Sequence, residues 1–265
     1  MSVDGKTHRL AELLGQYGRV AVAFSGGTDS AFLLHSALRV LGAGNVVALT
    51  AVSELVPRPD LEYALAWPGR NGFSGFQVEQ VVLQPLLWKE LVQNSKRRCY
   101  FCKLRMYQEF LARLHGRDFP FLLDGTNLDD LKDSRPGLQA IHELGVQTPL
   151  VETGFSKPQV REASASAGMD SWDKPSGSCL ATRIPHGRPI SADLLQWVEQ
   201  FESGLHRFGF SGCRVHLHEQ DNERVYIQLM QDDIEKITDP SMRLAVNRFF
   251  HKQGIHQIFL DLQGR

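Results

Sequence analysis

The sequence predicts an α/β protein, a parallel sheet flanked by helices, followed by a small C-terminal α+β domain. Three observations predict it. Short runs of apolar and β-branched residues recur along the first part of the chain, amphipathic helical stretches alternate with them, and over 175–189 the composition turns to Gly, Pro, Ser and Arg before the order of elements changes. Leu10, Leu13, Leu14 and Tyr17 give an amphipathic helix over 8–17, and 19–24 reads as a buried strand bounded by Gly18 and a glycine pair. Phe32, Leu33, Leu34, Ala37, Leu38 and Leu41 predict a helix from Ser30, which Gly42 and Gly44 stop before a strand at 46–52. The Pro- and Gly-rich stretch 57–75 is expected to be irregular or a weak helix, with a strand at 76–83. A helix opens at Cys99 and carries Leu104, Tyr107, Leu111 and Leu114; a strand at 121–124 then runs into Gly125-Thr126-Asn127. Such alternation predicts a parallel sheet wrapped by helices. Beyond 189 the order is helix (191–207), strands (213–218 and 224–229), helix and strand (255–262), read as a domain of antiparallel strands. Domains over 1–185 and 186–265 are therefore expected.

The turn between the first strand and its helix reads Ser25-Gly26-Gly27-Thr28-Asp29-Ser30. A glycine pair after a strand lets the backbone turn with its amide hydrogens inward, and the helix adds the positive end of its dipole, which together make a nest for phosphate oxygens. Ser25, Thr28 and Ser30 offer hydroxyls, while Asp29 beside polyphosphate implies Mg²⁺ between them. The chain has no G-x-x-x-x-G-K-[ST] and the loop has no lysine, which argues against γ-phosphoryl transfer by a Walker-type site. The loop resembles that of the PP-loop superfamily, the N-type ATP pyrophosphatases of adenine nucleotide alpha hydrolase-like fold. There it grips the pyrophosphate of ATP while a substrate oxygen attacks the α-phosphate, so the resemblance implies adenylation.

Lys and Arg number 29 against 30 Asp and Glu in 265 residues, a formal net charge of -1. No global field draws the chain to nucleic acid or to an anionic membrane, and the N-terminus lacks the apolar run of a signal peptide. A cytoplasmic location with no membrane or nucleic-acid partner is expected. Four cysteines are too few for a disulfide scaffold. Cys99-Tyr100-Phe101-Cys102 falls at a predicted helix start behind Lys96, Arg97 and Arg98, and its spacing puts both sulfurs on one face, suited to a metal, a cluster or a redox disulfide. Cys179 lies in a loop of small residues, Lys174-Pro175-Ser176-Gly177-Ser178-Cys179, as a nucleophile or a ligand. Three thiolates leave a vacancy in tetrahedral zinc, whereas a [4Fe-4S] cluster on three cysteines has one iron without a protein ligand, open to hydrosulfide. Cys213 opens an apolar strand and reads as packed; a four-cysteine zinc site that includes it is the alternative.

Asp124-Gly125-Thr126-Asn127-Leu128-Asp129-Asp130, then Asp133-Ser134-Arg135-Pro136-Gly137, then Cys179-Leu180-Ala181-Thr182-Arg183-Ile184-Pro185 follow the loop in this order. Together they resemble the LarE family, over nearly the whole chain. The resemblance implies an ATP-dependent sulfur transferase that converts pyridinium-3,5-biscarboxylic acid mononucleotide to its thiocarboxylate for the nickel-pincer nucleotide cofactor. It also implies that residues 25–30 hold pyrophosphate, that Thr126 and Asn127 lie near nucleotide, and that Arg135, Thr182 and Arg183 meet phosphate or carboxylate. Cys179 matches the position that in single-cysteine members gives up its own sulfur. With Cys99 and Cys102 beside it, the chain matches the three-cysteine subgroup instead. Cys179, Cys99, Cys102 and Asp29 are then the expected catalytic residues, with ATP, Mg²⁺ and a [4Fe-4S] cluster as cofactors. The implied partners are a small-molecule nucleotide and sulfide or another sulfur donor, with a homo-oligomer possible. Sacrificial transfer from Cys179 and thiolation of a tRNA base stay as alternatives, the near-neutral charge weighing against the second. Where the family carries an arginine-rich strand followed by His-Gly and an acidic residue, this chain has Cys213-Arg214-Val215-His216-Leu217-His218-Glu219, which puts the contacts of the second domain in question.

Overall fold

Val20, Ala21, Val22 and Ala23, all buried, form the strand around which the first half of the protein is built. The computed structural model describes residues 2–132 and 136–265, so Asp133, Ser134 and the expected anion-binding Arg135 lie outside the described residues. In chain order come α1 (Val3–Tyr17), β1 (Val20–Ala23), α2 (Thr28–Leu41), β2 (Val46–Val52), α3 (Arg58–Arg70), β3 (Val78–Val82), α4 (Lys89–Val92), α5 (Arg98–Leu114), β4 (Phe121–Leu123), α6 (Pro136–Glu143), α7 (Pro149–Glu152) and α8 (Lys157–Ser166). After them follow α9 (Ala192–Arg207), β5 (Arg214–Leu217), β6 (Arg224–Gln228), α10 (Ile234–Thr238), α11 (Pro240–Lys252) and β7 (Gln257–Leu260). The chain divides into two units, Met1–Leu83 with Arg97–Ser176, and Gln84–Lys96 with Gly177–Arg265.

In the first unit the sheet runs β3-β2-β1-β4 with every pair parallel, Val20 lying between Val46 and Phe121. Alternate residues of β1 serve opposite cores. Val20 and Val22 pack with Phe24, Leu33, Leu34 and Trp67, while Ala21 and Ala23 pack with Leu49, Leu122, Tyr107 and Phe110. Helices thus cover both faces, the arrangement that an uninterrupted apolar strand requires. The chain leaves β1 toward β2 on one side and returns to it as β4 on the other. That reversal opens a crevice at the carboxyl ends of β1 and β4, where α/β sheets bind ligands.

Stretch 57–75 forms a regular helix over most of its length rather than an irregular segment. Pro59 sits in the first turn, where its missing N–H is harmless, and burial of Ala64, Trp67 and Pro68 fixes the inner face. Helix α1 also starts earlier than the apolar pattern indicates, because Ser2 caps it by accepting a bond from the Gly5 amide at 3.2 Å.

The second unit corrects the expectation of antiparallel strands. β5 and β6 are antiparallel, but β7 lies parallel to β6, with Val225 opposite Ile258. The reason is the connection: α10 and α11 intervene between β6 and β7, and a helical crossover returns the chain in its original direction. Residues 84–96 join this unit through Asn94, fully buried with φ 53°, whose side-chain amide donates to the carbonyls of Pro185 at 2.8 Å and Arg188 at 2.7 Å. Among the described residues no helix is long and apolar enough to cross a membrane.

Candidate nucleotide and thiol site

The turn from β1 into α2 is closed by its own serines. The Ser25 and Ser30 hydroxyls lie 3.0 Å apart, the Ser25 amide donates to Ser30 Oγ at 3.2 Å, and the Gly27 amide donates to Ser25 Oγ at 3.3 Å. Gly26 has φ 72°, and a Cβ there would stand 2.8 Å from that of Ala64, so both backbone conformation and space demand glycine. Gly27 caps α2 in extended conformation, so the first amides of that helix open toward the crevice. Thr28 is buried and donates its hydroxyl to the Ser171 carbonyl at 2.9 Å, which makes it an anchor of the loop.

Asp29, in the first turn of α2, is met by two residues from elsewhere in the unit. Asn127 Nδ2 donates to Oδ1 at 3.2 Å, and the Lys157 ammonium pairs with Oδ2. Burial raises the Asp29 carboxyl above the usual range, with the Lys157 charge pulling the other way and Asp130 adding to the rise. Sequence reading missed Lys157, though Ser156-Lys157-Pro158-Gln159 is a capping box that announces the start of α8. Thr126 and Asn127, both buried, are built into the same framework. Thr126 donates its amide to Asp124 Oδ1 at 2.8 Å and its hydroxyl to the same oxygen, while Asn127 Oδ1 accepts from the Asp129 amide at 2.9 Å.

Asp124 ties the loop to the C-x-x-C helix. Its Oδ2 accepts from the Tyr107 hydroxyl and lies 3.6 Å from Lys103 Nζ, both on α5, while a Cβ on the adjacent Gly125 would meet Ser30 N at 2.8 Å. Burial works to raise the Asp124 carboxyl, but Lys103 and the bonds from Thr126 and Tyr107 outweigh it and hold the group below its ordinary value. A depressed folded-state pKa contributes stability above the unfolded value and loses it as pH falls through the folded one. Asp124→Asn is therefore expected to destabilise the protein by about 3 kcal/mol near neutral pH. The difference should shrink below roughly pH 4, where the unfolded carboxyl protonates. Thermal melts of both proteins from pH 7 to pH 3 check this.

The four cysteines form no disulfide. Cys99 is exposed and Cys102 half-buried in the first turns of α5, in the first unit; Cys179, half-buried, precedes a 3-10 turn over Leu180–Arg183 in the second. Cys213 is buried and its thiol is pushed up to about 12 by burial and then by Glu202, which removes it as a thiolate donor. Among the described residues no group of three or more His, Cys, Asp or Glu side chains is assembled to hold a metal ion.

Thr182 and Arg183 hold the Cys179 segment. Thr182 Oγ1 donates to the Cys179 carbonyl at 2.8 Å, and Arg183 Nη1 donates to the Ser178 carbonyl at 3.2 Å. Arg183 also makes a two-pronged pair with Glu202, Nε to Oε1 at 2.7 Å and Nη2 to Oε2 at 3.1 Å, with both side chains buried. Glu202 was not singled out from the sequence, because a carboxylate on an amphipathic helix gives no sign of being buried. Thr182, Arg183, His216, His218 and Tyr226 line a cavity of about 500 Å³ within the second unit. His216 Nε2 lies 3.2 Å from Gln228 Oε1, and Gln228 donates its amide to Asp261 at 2.8 Å. Asp261 accepts, so the Gln228 oxygen faces the imidazole and His216 carries its proton on Nε2.

A glycine loop at the switch point of a parallel sheet, with helices on both faces, defines a PP-loop-like α/β protein. No family model matches the chain. It is 34% identical over 262 residues to an uncharacterised protein of Synechocystis sp., covering 99% of this chain and 95% of that one. To the pyridinium-3,5-bisthiocarboxylic acid mononucleotide synthase of Lactiplantibacillus plantarum it is 30% identical over 267 residues, 98% of this chain and 91% of the relative. An uncharacterised protein of Methanocaldococcus jannaschii shares 23% over 249 residues. By this near full-length similarity the chain belongs to the LarE family of pyridinium-3,5-bisthiocarboxylic acid mononucleotide synthases.

Proposed function

We propose that the chain is an ATP-dependent sulfurtransferase that forms the thiocarboxylate of pyridinium-3,5-biscarboxylic acid mononucleotide, for synthesis of the nickel-pincer nucleotide cofactor. The observation that carries the reading is a juxtaposition inside the first unit. The 25–30 loop and the C-x-x-C helix meet at one strand end, the loop against Gly125 and the helix against Asp124 through Lys103 and Tyr107. The similarity to the synthase of Lactiplantibacillus plantarum supplies the substrate.

The loop amides with the Ser25 and Ser30 hydroxyls hold pyrophosphate, and Asp29 holds Mg²⁺. The site fits such an ion, because the Asp29 carboxylate already takes a cation, Lys157, and has Asp130 close enough to raise its pKa. Asn127 orients Asp29, Thr126 fixes Asp124, and both Thr126 and Asn127 lie near the nucleotide in this reading. A substrate carboxylate oxygen bonds to the α-phosphorus and pyrophosphate leaves; a sulfur nucleophile then bonds to the acyl carbon, and AMP leaves with that oxygen. When bound, a [4Fe-4S] cluster held by Cys99, Cys102 and Cys179 supplies an iron without a protein ligand, able to carry hydrosulfide. The donor set suits it: these three thiols are exposed or half-exposed within their units, and Cys213 is not. Thr182 and Arg183 position Cys179, and Arg135 adds a cation for the substrate anion. The reaction needs a small-molecule partner and a sulfur donor, and a cytoplasmic place of action suits both.

Anaerobically purified protein, reconstituted with iron and sulfide, tests the reading. Expected are iron bound in proportion to protein, repeated turnover of thiocarboxylate product, and loss of that product but not of pyrophosphate release in Cys179→Ala. A Cys179 that loses the mass of H₂S after one turnover would overturn the cluster in favour of sacrificial transfer, and multiple turnovers by a Cys99→Ala/Cys102→Ala variant would overturn it in favour of a sulfur carrier other than the cluster.

A further inference from the structure

The 25–30 loop carries no cation of its own, yet it must hold a polyphosphate. Lys174 lies beside it. Its Nζ is 3.4 Å from the Gly26 carbonyl and 3.1 Å from Asp60 Oδ1, and it sits 3.9 Å from the centre of the Tyr63 ring on α3. All of these groups belong to the first unit. Each contact is weak. The bond to Gly26 is at the limit of length, the pair with Asp60 is partly exposed, and the ring offers a quadrupole rather than a charge.

The backbone that carries Lys174 is held far more firmly than its side chain. Thr28 donates to the Ser171 carbonyl at 2.9 Å in a buried bond, and Arg161 donates to the carbonyls of Trp172 at 3.0 Å and Lys174 at 2.8 Å. Asp170 accepts from Arg70 at 2.6 Å, Asn71 at 2.8 Å and Tyr63 at 3.0 Å. The turn 170–174 is therefore fastened to the loop and to α3, and the four-carbon stem of the lysine can swing without moving it. A compact ammonium on a flexible stem, parked on three weak acceptors at the edge of a phosphate nest, suits a group that changes partner when a stronger anion arrives.

We infer that Lys174 is a nucleotide-contacting residue, which leaves Asp60 and the Gly26 carbonyl to bind the phosphate chain of ATP when it enters the loop. This rests on the ATP-dependent reading above. Lys174 also stands five residues before Cys179 in the sequence. A phosphate contact at Lys174 thus fixes the start of the short Pro-Ser-Gly-Ser stretch that leads to the sulfur-handling cysteine.

The test is isothermal titration of the full chain with Mg²⁺ and adenosine 5′-(α,β-methylene)triphosphate, and in parallel with adenosine. Lys174→Met should weaken the triphosphate analogue on the order of 10-fold or more and leave adenosine unchanged, and Lys174→Arg should recover part of the loss. Asp60→Asn separates a swinging lysine from a static one. If Lys174 moves to phosphate, removing its resting partner leaves analogue binding equal or tighter; if the Asp60 pair merely supports the loop, binding weakens. Unchanged analogue affinity in Lys174→Met, or parallel losses for analogue and adenosine, would overturn the assignment while leaving ATP use intact. Failure of the parent protein to bind the analogue at all would overturn both.

Discussion

Gly125→Ala is expected to slow ATP-dependent pyrophosphate release by roughly 100-fold or more, because displacement of reacting groups by about an ångström has that effect. The added Cβ would stand 2.8 Å from the Ser30 amide nitrogen and 3.0 Å from both the Asp29 carbonyl carbon and Ser30 Cα. These are backbone atoms of the first turn of α2, so no rotamer change relieves the clash. Either the 124–127 strand end or the phosphate loop must shift. The strand end is held by Thr126, Tyr107 and Lys103 on Asp124, and the loop by the Thr28 bond to Ser171. Strain of this kind costs about 1–3 kcal/mol in stability, so the variant should fold and melt cooperatively. Gly44→Ala, where a Cβ would meet nothing within 4 Å, is the matched control and should retain full activity. Steady-state pyrophosphate release by the two variants, each normalised to its folded fraction, checks the prediction.

That clash shows why the sequence discloses the phosphate site more readily than its supports. Ser25-Gly26-Gly27-Thr28-Asp29-Ser30 between a strand and a helix is a local signal, since its chemistry depends on neighbours along the chain. The parallel sheet was legible for the same reason: alternating strands and helices leave few other connections. The partners of the loop are a different matter. Lys157, Asn127 and Ser171 reach Asp29 and Thr28 across about a hundred residues or more. Only the tertiary fold decides which of many lysines and carbonyls arrives. Thr28 illustrates this, because its place in the loop suggests a phosphate donor, whereas the fold also gives its hydroxyl an acceptor in the Ser171 carbonyl. The direction of β7 was misjudged for a related reason. Short apolar runs announce strands, but parallel or antiparallel pairing follows from what connects them.

Glu202→Ala is expected to lower stability by about 3–5 kcal/mol, because it strands a buried guanidinium. Arg183 and Glu202 are 5% and 10% exposed, and Glu202 Oε1 also accepts the Val215 amide at 3.0 Å, so the carboxylate serves both the Cys179 segment and the start of β5. Its loss is aggravated by other cations. Arg214 is drawn down to about 10 by burial and then by Arg265 and Arg183, which places three guanidiniums around one carboxylate. Glu202 offsets their mutual repulsion, and its loss leaves that repulsion stronger. Replacing both partners, as in Arg183→Met/Glu202→Leu, removes the uncompensated charge and should be less damaging than Glu202→Ala alone. The double variant nevertheless lacks the guanidinium that grips the Ser178 carbonyl, so it should recover stability without recovering sulfur transfer. Calorimetric melting together with product assays on the single and double variants separates the two roles. If stability and sulfur transfer return together, Arg183 matters to Cys179 only through the fold of the unit.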